Sequence, residues 1–144
     1  MITTKLTELI ERDWAEIADQ VADAVRRAPD LESLSQQSDH ELREWCRDIL
    51  EHLGNLMASG NGRVVQHELK MLKRLNGSVQ LPLHEAVRLL QILKREIVSF
   101  IQYRWLPLTA MQLYTAEEVG EELDRFFEEC VYRLVCRYED AVAA

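Results

Sequence analysis

Between Leu83 and Ile101 the chain is apolar on almost every helical face. Leu83, Val87, Leu90, Leu93, Ile97, Phe100 and Ile101 recur at spacings of three and four, and Leu89, Ile92 and Val98 widen that stripe. A helix apolar nearly all round is usually central, so other elements are expected to pack around it. Pro82 stands where a first-turn proline is tolerated, and Pro107 breaks the pattern. The segment therefore reads as the central helix of one core.

The remaining sequence supplies partners with the same period. Leu6, Leu9, Ile10, Trp14, Ile17, Val21, Ala24 and Val25 form a first stripe, capped by Thr3 or Thr4 and ended at Ala28-Pro29. A second stripe runs through Leu42, Trp45, Cys46, Ile49, Leu50, Leu53, Leu56 and Met57. Ser38 with Glu41 is a capping box at its start, and Gly60-Asn61-Gly62 closes it. A third helix is expected over 63–75, ended by Asn76-Gly77. A fifth is expected from near Thr115, with Val119, Leu123, Phe126, Phe127, Cys130, Leu134 and Tyr138 on its main stripe. Gly120 interrupts that helix at a propensity cost, which suggests close packing there. Short extra turns are expected at 31–35 and 108–113.

Five glycines and three prolines in 144 residues leave too few reversals for a small-strand sandwich or barrel. A chain of this mass buries about 69% of its unfolded surface, enough for one core. The expected fold is thus a single all-α domain over 1–144, a bundle of about five main helices.

The formal net charge of −8 argues against a general nucleic-acid or anionic-membrane binder, since both need local positive charge. No stretch reaches the roughly 18 uncharged apolar residues of a membrane span, and the opening residues lack a signal-peptide core. Cys46, Cys130 and Cys136 are odd in number and lack CxxC spacing, which fits reduced thiols in the cytoplasm.

No constellation for catalysis stands out. His40, His52, His67 and His84 have neither HxxxH nor HExxH spacing, so surface or capping roles are expected and no metal or haem. There is no phosphate-binding glycine loop and no nucleophile with a paired base. The acids Glu117, Glu118, Glu121, Glu122, Asp124, Glu128 and Glu129 read as the solvated face of a helix. Arg63, Lys70, Lys73 and Arg74 form a basic cluster that suits acidic helices better than a nucleic acid. Met57, Met71 and Met111 with Phe100 and Tyr103 have the chemistry of an adaptable pocket for an unknown small ligand.

The order of these features resembles a known family. Asp13-Trp14 precedes an apolar helix, LGNLMASGNG ends a second, and LPLHEAVRLLQILKREIVSFI opens with proline-leucine and an acid two residues on. The pattern is similar to the N-terminal domain of RsbR-type stressosome proteins and to RsbRD-like input domains of bacterial sensor kinases and transcription regulators. Residues 39–101 carry it best. The resemblance implies a globin-like fold without haem, homodimerisation, and a non-enzymatic sensory role in a chain that continues into an output domain. It carries over no cofactor and no catalytic residue. A haem- or gas-binding globin and a free-standing helical adaptor are the alternatives. On the fifth helix Phe127, Val131 and Val135 make a second apolar edge, the expected dimer interface unless residues 1–27 cover it.

Overall fold

A computed structural model describes residues 2–59, 81–105 and 109–143. Within them the regular structure is entirely helical. The elements are α1 (Ile2–Arg12), α2 (Trp14–Arg27), α3 (Glu32–Ser35), α4 (Asp39–Leu50), α5 (Leu53–Ser59), α6 (Leu83–Arg104) and α7 (Ala110–Ala143). The helix expected over 63–75, with its basic cluster and His67, lies outside the described residues.

The segment that is apolar on most faces is indeed central, though His84, Arg88, Gln91, Arg95 and Gln102 keep one exposed polar stripe along it. On α6, Leu89, Leu90, Ile92, Leu93 and Ile97 are all at most 2% exposed. Helix α2 packs against α4 and α6, while α7 packs against α6 and α1. The core is continuous from Leu6 on α1 to Leu134 on α7.

Periodicity alone merged the first two helices. They separate at Asp13, whose φ of −98° and ψ of 28° leave the helical region. The break lets α1 lie along α7 while α2 turns to α4 and α6. The second expected helix also divides, at Glu51-His52, into α4 and α5. Its start is as read: Ser38 Oγ accepts the Glu41 N–H at 3.1 Å. Gly54 lets α5 approach α1 closely, since a Cβ there would meet Thr7 Cγ2 at 3.1 Å.

Helix α7 begins five residues before the expected Thr115. Thr109 Oγ1 accepts the Gln112 N–H at 3.1 Å, capping the earlier start. The indole N–H of Trp105 donates to the Gln112 carbonyl at 3.2 Å. Gly120 departs from expectation: a Cβ there would meet nothing within 4 Å, so no close packing demands glycine.

Helix α3 is a single short turn whose orphan amides are satisfied from elsewhere. Glu85, in the first turn of α6 and 2% exposed, supplies its carboxylate to the backbone N–H groups of Ser33 and Leu34. The Arg26 guanidinium binds the carbonyls of Ser35 and Gln37 and the Asp39 carboxylate. At the same end of α6 the Tyr138 hydroxyl donates to the Leu81 carbonyl, tying α7 to the start of α6.

Candidate functional site

A chemically varied concavity follows from two helical stripes. On α6, Glu96, Ser99, Phe100 and Tyr103 are spaced by three and four, so they share one edge. On α2, Glu16 and Gln20 are one turn apart and face that edge. The seam opens as a groove of about 250 Å³. Ile17 and Phe100, both buried, form its apolar base. Tyr103 stands at the rim, 82% exposed.

One end of the groove is closed by Arg104. Its Nη1 donates to Glu16 Oε2 at 2.7 Å and its Nη2 to Asp13 Oδ2 at 3.3 Å. The same guanidinium lies over the Phe100 ring, 5.6 Å from the centroid. Asp13 is shared with Arg12, whose Nε donates at 3.1 Å. That hydrogen bond is the main reason the Asp13 carboxyl sits below its ordinary pKa. The break between α1 and α2 thus coincides with an ion-pair node that reaches the end of α6. Glu96, by contrast, makes neither an ion pair nor a hydrogen bond among the described residues.

The residues singled out from sequence are scattered. His40 and His84 are exposed on α4 and α6, and His52 is exposed in the turn between α4 and α5. Among the described residues no group of three or more His, Cys, Asp or Glu side chains is placed to hold a metal ion, and no helix is long and apolar enough to cross a membrane. Cys46 is fully buried, and that burial pushes its thiol pKa up, away from the reactive thiolate. Among the acids of α7, Asp124 pairs across to Lys94 of α6 at 2.7 Å and Glu129 pairs within the helix to Arg133 at 2.8 Å. Of the residues considered for an adaptable pocket, Phe100 and Tyr103 do line the groove. Met111 is exposed instead, Met57 packs on the core, and Met71 lies outside the described residues.

The supposed dimer edge is divided. Phe127 is 3% exposed and meets Phe126 edge-on inside the protomer's own core, with ring centroids 5.2 Å apart. Helix α1 packs along α7, the cover that a monomer would use. Val131 and Val135 remain half-buried.

Trp14 is half-buried and packs against the core, and the guanidinium groups of Arg43 and Arg47 each lie over its ring, 5.6 Å from the centroid. Sequence reasoning missed the groove. Its α6 edge was present as an i, i+3, i+7 spacing, but nothing local indicated which helix would face it.

Comparison with protein-family models, with curated proteins and with solved structures gives no match. The class of protein that the fold defines is therefore an all-helical bundle with an acidic, aromatic groove between α2 and α6.

Proposed function

We propose that the chain is a non-enzymatic sensory input and dimerisation domain of a bacterial, cytoplasmic signalling protein. In this reading it is globin-like without haem, is related to RsbRD-like domains, and acts on an attached or partner output domain. The observation that carries the reading is the double role of α6. One edge of that helix forms the groove, through Glu96, Ser99 and Tyr103. Two residues before Glu96, Lys94 is ion-paired to Asp124 of α7. Any occupant that shifts α6 therefore moves against a helix of 34 residues, about 51 Å long. Packed helix contacts have discrete arrangements, which suits them to passing on a small displacement.

Dimerisation rests on Val131 and Val135, the part of the apolar edge that α1 and the core leave accessible. Phe127 is accounted for within the protomer. Light scattering on the unmodified chain is expected to give twice the monomer mass, and Val131→Glu to give a folded monomer. A wild-type monomer at high protein concentration removes the dimer from this proposal. A Soret absorption band on the purified chain removes its non-haem part.

A further inference from the structure

We propose that the α2–α6 groove binds a small organic cation carrying an apolar or aromatic arm. The charge accounting around the groove points to a cation. Asp13 and Glu16 are engaged by Arg12 and Arg104, so those charges are matched within the chain. Glu96 is the carboxylate left over, and it lines the groove. Of the cations just before it on α6, Lys94 is committed to Asp124, and Arg95 is exposed, outside the groove lining and not ion-paired to Glu96. Of the residues lining the groove, Arg104 alone could meet an anion, and its guanidinium already serves two carboxylates.

The aromatic content points the same way. Phe100 accepts one cation over its face already, that of Arg104. Tyr103, with 82% of its surface exposed, presents a second ring on the same helix edge. Ser99 and Gln20 add a hydroxyl and an amide to the walls, both without a partner among the described residues. A bare metal ion is poorly served, because no cluster of three ligating side chains is formed among the described residues. The 250 Å³ of the groove lies just below the range of about 300–1,000 Å³ usual for ligand pockets, which suits one ring with one charged group.

Binding would place the ligand's positive group on Glu96 and its apolar arm against Phe100 and Tyr103. A charge-assisted hydrogen bond to a carboxylate in such a setting is stronger than a neutral one. The inference deepens the input-domain reading by naming the chemistry of the stimulus, and it rests on that reading only for the signalling consequence.

The test uses the whole chain and benzamidinium as probe, followed by two-dimensional amide NMR. Saturable shifts are expected at Gln20, Ser99 and Tyr103, with none for the neutral isostere benzamide. Glu96→Gln is expected to weaken binding by about tenfold while leaving thermal stability unchanged. Tyr103→Ala, at an exposed position, is expected to weaken it as well. No saturable shift, an equal response to benzamide, or an unchanged affinity in Glu96→Gln overturns the proposal. Binding that leaves α7 amides unmoved supports the cation site and counts against the signalling reading. Oligomeric state is read separately by light scattering, so the two fail independently.

Discussion

Glu85 and Leu34, fifty-one positions apart in sequence, are joined by a hydrogen bond in which Glu85 Oε1 accepts the Leu34 N–H at 3.0 Å. The second oxygen faces the Ser33 N–H at 3.4 Å. One carboxylate thereby serves two amides of a helix too short to satisfy its own. Replacing Glu85 by Ala leaves those amides buried without an acceptor and is expected to cost about 1–3 kcal/mol. Glu85→Gln keeps an acceptor oxygen and is expected to cost less. Denaturant unfolding of both variants measures the difference; a loss from Glu85→Ala below about 0.5 kcal/mol, the size of an ordinary surface change, shows that the contact contributes little.

Leu93 is fully buried at the middle of the central helix. Leu93→Ala removes buried methyl groups and leaves a cavity that the surrounding helices close only in part. The expected cost is about 2–5 kcal/mol in chemical denaturation. Helical circular dichroism at low denaturant is expected to persist.

Gly120 sits within α7 with open space where a Cβ would project. Gly120→Ala restricts the unfolded chain and improves helix propensity without a clash. A gain of about 0.5–1 kcal/mol is expected. Calorimetry on the variant decides it: a lower Tm would mean that the position does contact something.

Asp48 is half-buried, and that burial, followed by the neighbouring Glu44, raises its pKa above the ordinary carboxylate value. A carboxyl whose folded pKa is raised favours the folded state most when protonated, and that contribution is lost as pH rises through the folded pKa. Asp48→Asn is therefore expected to raise Tm at neutral pH. The gain should shrink as pH falls through the raised folded pKa and be gone below about 4, the unfolded carboxyl value. Thermal melts of both proteins across that range test the sign; a gain that grows toward acid contradicts the assignment.

The sequence by itself determined that the chain is all-helical, that Leu83–Ile101 is central, and that Ser38 starts a helix. Each of these follows from short-range physics: apolar spacing near 3.6 residues, an apolar stripe widened beyond one face, and a hydroxyl within reach of an amide three positions on. Tertiary packing alone decided where long periodic segments divide. The break at Asp13 cannot be seen in the stripe from Leu6 to Val25, because the apolar spacing continues through it. What breaks it is competition between partners, with α7 drawing α1 one way and α4 and α6 drawing α2 another. The same holds for the candidate site and the second apolar edge of α7. Periodicity says which residues share a face, as Glu96 and Tyr103 do, but not that Glu16 and Gln20 stand opposite them. It places Phe127 beside Val131 and Val135, yet only packing buries Phe127 against Phe126 and leaves the two valines part of their surface. Facing relationships are set by long-range burial, and a helix face carries no local record of the helix that covers it.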